Sequence, residues 1–226
     1  MNRLDEEYKS CKFKWDCENC DKTLCLRIAA IADFPTMYGH FGVIAFMNNK
    51  DKKDHIMVVK GDVVQGEGVL TRLHSSCVTG DVLGSLRCDC GPQLSKSLQM
   101  IEKEGLGILL YMQQEGRGIG LTNKIRAYML QDSGSDTYEA NIDLGFQPDE
   151  RQYELAAAML SKLGVKSIKL LTNNPEKIRE LESFGVVIKK RIPLETRPSR
   201  YNRSYLQTKK ERFGHLLSIE SLSEKP

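Results

Sequence analysis

The sequence predicts an α/β fold: a layered mixed sheet with helices, whose N-terminal half carries antiparallel strands. Three observations carry that prediction. Four short apolar runs follow one another between Leu26 and His74, strand-like runs then alternate with segments of helical period, and glycines or capping residues stand where those helices should stop or start.

LRIAAIADFP (26–35), FGVIAFM (41–47), HIMVVKGDV (55–63) and GVLTRLH (68–74) are rich in β-branched residues and separated by Gly, Asn, Asp and Lys, so each reads as a strand, joined as hairpins. Leu94, Leu98 and Ile101 then recur at i, i+4 and i+7. Gly105 sits where that helix would stop, before the strand-like GILLYMQ (107–113). LTNKIRAYMLQ (121–131) predicts a helix through Leu121, Ile125 and Met129, and RQYELAAAMLSKL (151–163) another that ends at Gly164. SIKLLT (167–172) is a strand. Asn174 caps the next helix, PEKIRELESF, with Pro175 at its first position and Gly185 at its end, and VVIKKRIPL (186–194) closes the sheet.

The expected organisation is a cysteine-containing N-terminal extension (1–25), one catalytic domain (26–217) and a flexible tail (218–226), with no internal repeat. At 226 residues and 40% hydrophobic content the chain can bury a core without staples. No stretch approaches the roughly 20 apolar residues of a membrane span, and the N-terminus has no apolar signal region, so a cytoplasmic protein is expected. A net charge of +3 does not by itself imply nucleic acid. Its distribution is uneven, since 189–212 carries nine basic and two acidic residues. That segment reads as a solvated basic surface, or as one that attracts a polyphosphate.

In a reducing compartment, seven cysteines favour metal or catalytic use over disulfides. Cys77, Cys88 and Cys90 can converge on one ion if the segment between them loops back, which Gly80, Gly84 and Gly91 allow. Three ligands leave a tetrahedral position open, as catalytic zinc requires. The alternative is a set of buried apolar thiols, against which the polar neighbours Asp81, Arg87 and Asp89 argue. Cys11, Cys17, Cys20 and Cys25 form a separate cluster, either a second, structural ion site or an oxidation-prone extension.

"TRLHSSCVTGDVLGSLRCDCG", "QQEGRGIGLTNKIRAYMLQD", "DLGFQPDERQYELAAAML" and "LLTNNPEKI" resemble GTP cyclohydrolase II, the enzyme that begins riboflavin synthesis, and the resemblance runs from about Leu26 to Leu217. It implies a zinc-dependent, magnesium-assisted conversion of GTP to a diaminopyrimidinone ribosyl phosphate, formate and pyrophosphate. It also implies Cys77, Cys88 and Cys90 as zinc ligands, serving hydrolytic attack at C8 of guanine, with Tyr128 beside the ring being opened. Relatives of this kind are typically homodimers. Fewer than 30 residues precede the matching stretch, so a chain without the synthase domain fused to some relatives is expected.

"EGRGIG" (115–120) lies between a predicted strand and helix, where backbone amides and a helix start favour anions, and it does not match the dinucleotide fingerprint. By resemblance Glu115, Gly116 and Arg117 contact GTP, Glu115 reading the base and Arg117 a phosphate. "TNNPEK" (172–177) is a second anion site by the same physics, and the resemblance places Thr172 and Lys177 on the nucleotide, together with Gln93, Thr137 and the run Arg72, Leu73, His74, Ser75 and Ser76. The family usually has a glutamate where this chain has Ser76. In "PDER" (148–151), Asp149 and Arg151 are two apart and can cooperate only if Asp149 sits at the cap, before the helix proper. The resemblance makes Asp149 a proton acceptor and Arg151 a nucleophile toward the α-phosphate, although a guanidinium stays protonated to above about pH 12.

Two rival functions remain. A family variant could retain the formyl group or serve a specialised pathway. A zinc-stabilised nucleic-acid-binding module would use the basic 189–212 segment, against which stand the modest charge and the lack of a finger, RRM or KH signature.

Overall fold

The computed structural model describes residues 24–218, so Cys11, Cys17, Cys20 and the tail beyond Ser218 lie outside the described residues. Seven strands form one mixed sheet: β1 (Leu26–Thr36), β2 (Gly39–Asn48), β3 (His55–Lys60), β4 (Val69–Ser75), β5 (Gly107–Met112), β6 (Ile168–Leu171) and β7 (Ile188–Ile192), in the order β1-β2-β3-β5-β4-β6-β7. The β1/β2, β2/β3 and β3/β5 pairs are antiparallel, whereas β5/β4, β4/β6 and β6/β7 are parallel. The antiparallel and parallel parts therefore meet at β5, which pairs antiparallel with β3 and parallel with β4. The fourth run does not continue the hairpins as expected: β4 lies between β5 and β6 and is parallel to both, because β5 from beyond Cys90 takes the edge of β3.

Alternation along the strands sorts side chains to two faces. Met57, Val59, Leu73, Ile108, Leu110, Ile168 and Leu170 face one core, packed by Leu155, Met159 and Leu160 of α5 (Glu154–Lys162) and Leu181 of α6 (Pro175–Ser183). Val58, Leu70, Leu109 and Leu171 face the other, packed by Leu98 and Ile101 of α2 (Cys90–Glu104). Each such fully buried leucine or isoleucine contributes about 1.5–3 kcal/mol over its exposed state. Arg72 and His74 share the α2 face with Leu70, so the period of two carries the end of β4 from a dry core to a polar cavity within four residues.

Five helices depart from expectation. α3 (Leu121–Asp132) begins where predicted, but the stripe Leu121, Ile125 and Met129 is exposed, and the buried residues are Lys124 and Ala127. The helix predicted from Arg151 begins at Glu154, so Asp149 is not at its cap, and Asp149 and Arg151 both lie in the irregular segment before it. α7 (Arg203–Phe213) was not read from the sequence, nor were the short helices α1 (Val78–Asp81) and α4 (Thr137–Asp143).

Candidate active site

The metal triad forms where β4 ends. Cys77 caps α1, Cys90 opens α2, and their ligand sulfurs with that of Cys88 lie within 4.8 Å of one another, Cys77 and Cys88 being 3.7 Å apart. A tetrahedral ion with Zn–S bonds of about 2.3 Å needs sulfurs about 3.8 Å apart, so the donor set fits zinc in both type and spacing. Gly80 permits the closure, because a Cβ there would lie 2.7 Å from Cys88 Sγ and 3.2 Å from Cys77 Sγ. Gly80→Ala should accordingly lower the zinc content of purified protein measured by elemental analysis; full occupancy would contradict this packing account.

Buried carboxylates hold the loop that carries these sulfurs. Asp81 accepts from Cys77 N at 2.9 Å and from Tyr111 OH at 2.9 Å, and it pairs with His74 Nε2 at 3.0 Å. Glu115 accepts from Val78 N and from the ammonium of Lys124, both at 2.6 Å, while Lys124 Nζ also donates to Cys77 Sγ at 3.0 Å. Burial works against the Lys124 ammonium, but the Glu115 hydrogen bond and the Cys77 charge outweigh it and raise its pKa. Hydrogen bonds from the Cys88 and Cys90 thiols hold Cys77 well below the ordinary thiol range, and the same interaction pushes Cys88 up to about 11. The Lys124 ammonium beside Cys77 Sγ favours the thiolate form there, the form that binds metal.

Cations gather in the same cavity. Arg72, Arg117, Arg151, Lys177 and Lys209 all line it. Arg72 donates to Gln93 Oε1 at 2.7 Å and to Leu171 O at 2.9 Å; Lys177 donates to Leu73 O at 2.8 Å. Arg151 grips Asp149 through Nε at 2.8 Å and through a second, shorter bond from Nη2. Burial lowers the pKa of Lys177 well below the ordinary value, with Arg72 and Arg151 adding to the effect. Arg117 Nη1 is buried without a hydrogen-bond partner. A pocket that desolvates this many like charges is arranged for an anion.

The turn that aims Arg117 is strained. Gly116 and Arg117 both have φ near +60°, at 62° and 60°, within the 3₁₀ turn Glu115–Gly118. Its Arg117 O accepts from Glu150 N at 2.9 Å, and a Cβ at Gly118 would lie 3.0 Å from Glu150, so the "EGRG" and "PDER" segments are docked on each other. A left-handed arginine costs about 1 kcal/mol or more, offset here by that docking.

A family model described as GTP cyclohydrolase II matches residues 27–193. The chain belongs to the GTP cyclohydrolase II family. It is 56% identical over 185 residues to riboflavin biosynthesis protein RibBA of Phocaeicola vulgatus, covering 82% of this chain and 46% of that one. It is 54% identical over 198 residues to RibBA of Bacillus cereus, covering 88% and 50%. The chain therefore spans about half the length of these relatives. Among solved structures, a two-domain 3,4-dihydroxy-2-butanone 4-phosphate synthase, RibBX from A. baumannii, aligns with a TM-score of 0.44 and 19% identity over 76% of this chain and 41% of that one, too distant a likeness to bear on the site.

Most residues that the GTP cyclohydrolase II resemblance singles out converge on this one cavity: the three cysteines, Arg72, His74, Ser75, Ser76, Gln93, Glu115, Gly116, Arg117, Tyr128, Thr137, Arg151, Thr172 and Lys177 line it. Leu73 does not. Its side chain is fully buried in the α5/α6 core, and only its carbonyl serves the site, by holding Lys177. Nor does Asp149, which instead accepts hydrogen bonds from Arg151, a residue that lines the cavity. The Ser76 hydroxyl is buried and unpartnered. Asn174 caps α6 as expected, its side chain accepting from Glu176 N at 2.9 Å. Asp81, read from the sequence only as a polar neighbour of the cysteines, holds their loop; sequence reading missed Lys124 and the α7 residues Tyr205, Lys209 and Phe213, a charged residue four before Tyr128 on the helix being the available signal for Lys124. Nor is 189–212 one basic surface. Lys209 points into the cavity and pairs with buried Asp89, and Arg212 pairs with Asp136 and Glu139.

Proposed function

We propose that this chain hydrolyses GTP to a diaminopyrimidinone ribosyl phosphate, formate and pyrophosphate, the reaction that opens riboflavin biosynthesis. One observation carries the reading: three thiols close enough together to hold a metal ion and a cluster of cationic side chains share a single cavity. Zinc bound to Cys77, Cys88 and Cys90 would supply Lewis acidity and an activated water at the base end. Magnesium would accompany the phosphates, whose charge the cations at the other end receive.

The chain's own groups divide the work. Tyr128 lines the base end, its hydroxyl 3.4 Å from Thr79 Oγ1 and its ring covered by the Arg87 guanidinium at 4.4 Å. Burial raises its pKa, so the phenol keeps its proton and can give it to a ring nitrogen as the C8 bond opens. Glu115 is already engaged by Val78 N, Gly116 N and Lys124, so it reads guanine only with an oxygen lone pair these bonds leave over. Arg117 and Lys177 bind phosphate, and Arg151, held flat by Asp149, stabilises charge developing at the α-phosphate as pyrophosphate leaves.

The proposal includes a cytoplasmic location, because a thiolate metal site needs a reducing compartment; no helix among the described residues is long and apolar enough to cross a membrane. It also includes a homodimer. Val82, Leu83, Leu86 and the α3 stripe of Leu121, Ile125 and Met129 leave apolar surface exposed beside the metal loop, which Arg87 ties to α3 through Asp132.

The test is incubation of purified protein with GTP and magnesium, following formate and pyrophosphate separately and identifying the pyrimidine by mass. Loss of the C8 carbon as formate is expected. A formamide product that retains that carbon would instead mark the formyl-retaining variant, and salt-sensitive RNA or DNA binding without turnover would favour the nucleic-acid module.

A further inference from the structure

The family match ends at residue 193, yet the wall of the cavity does not. Tyr205, Lys209 and Phe213 of α7, and His215 just beyond it, line the same space as Arg117, Arg151 and Lys177. Several ties fix this segment. Arg212 bonds Asp136 and Glu139 at 3.1 Å each, Leu216 N donates to Asn173 O at 2.8 Å, and the Arg117 guanidinium lies 3.8 Å over the Phe213 ring. Gly214, with φ of 62°, ends the helix in a left-handed turn that directs the next side chain back into the cavity.

That side chain is His215. Its ring makes no hydrogen bond or ion pair among the described residues, and it lines the cavity together with Lys209 on α7, Arg151 before α5, Arg117 on the turn after β5 and Lys177 on α6. Lys209 is already taken by Asp89, and Arg151 by Asp149. A half-buried ring that shares a cavity wall with four lysine and arginine side chains can offer its one N–H to an anion those cations attract.

We propose that His215 is a further substrate-binding residue, donating a hydrogen bond to a phosphate oxygen of the nucleotide from the C-terminal segment outside the matched region. This rests on reading the cavity as the GTP site, and it makes α7 a substrate wall rather than a packing helix. The unpartnered Arg117 Nη1, stacked in place by Phe213, stands on the same side.

The experiment uses the full, zinc-loaded chain with His215→Ala and His215→Asn, and two inhibitors competing with GTP: inorganic tripolyphosphate and guanosine. His215→Ala is expected to raise KM for GTP and the tripolyphosphate inhibition constant about tenfold, the size of one hydrogen bond to a charged group, and to leave the guanosine constant unchanged. His215→Asn, whose amide can donate, should recover most of the loss. An unchanged tripolyphosphate constant, or an equal rise for both inhibitors, overturns the assignment. If the unaltered protein is not inhibited by tripolyphosphate at all, the reading of the cavity falls with it, a result that separates the two failures.

Discussion

Replacing Cys88 with serine is expected to strip the metal and to suppress formate release by about a thousandfold, because several kcal/mol of Lewis-acid stabilisation are lost at about 1.4 kcal/mol per tenfold. The thiolate, not the thiol, is the ligand, and a serine hydroxyl does not ionise to replace it. Cys88 is also buried against Cys77 and Gly80, so no other side chain can move in to complete the triad. Elemental analysis and a formate assay on the same preparation check both halves. Retained zinc with lost activity would point to a nucleophilic rather than a ligating thiol.

Arg151→Lys should slow pyrophosphate release by about a hundredfold while the fold persists. Lysine keeps the charge but not the fork that Asp149 holds through two bonds, and about 3 kcal/mol of lost charged hydrogen bonding corresponds to about two decades in rate. Alanine is the wrong probe, since it would leave the Asp149 carboxylate without its partner and cost about 3–5 kcal/mol of stability. Burial alone would raise the Asp149 pKa, but the Arg151 charge outweighs it and the pKa is depressed. The pair's contribution is therefore fully present above the unfolded carboxyl value of 3.8 and lost as pH falls through the lower folded one. Stopped-assay pyrophosphate yields for the lysine variant decide the matter, and a rate within threefold of the unaltered protein would show that the charge alone suffices.

Strands and core helices were legible because their apolar residues face a dry core. LRIAAIADFP, GILLYMQ and the Leu94–Leu98–Ile101 helix stopping at Gly105 fall where pattern and punctuation put them. The cavity inverts that rule. Helices that line it bury Lys124, Thr208 and Lys209, so apolar periodicity on α3 marks its outer face, and on α7 it hardly exists, with Leu206 the sole buried hydrophobic among its residues. The "PDER" segment misled for a related reason: its helical neighbours suggested an earlier start, but Arg151 is held out of the helix by its bonds to Asp149. Spacing exposed the three cysteines. Lys124, 47 positions from Cys77, and Tyr111, 30 positions from Asp81, are brought to them only by the folded chain.

The central claim is that the thiol triad governs ring opening in the cation-lined cavity. GTP labelled at C8 tests it most directly, offered to zinc-stripped protein before and after zinc is restored. Labelled formate should appear only after restoration, at a rate rising in proportion to zinc bound. Equal label release from the stripped protein would contradict the account.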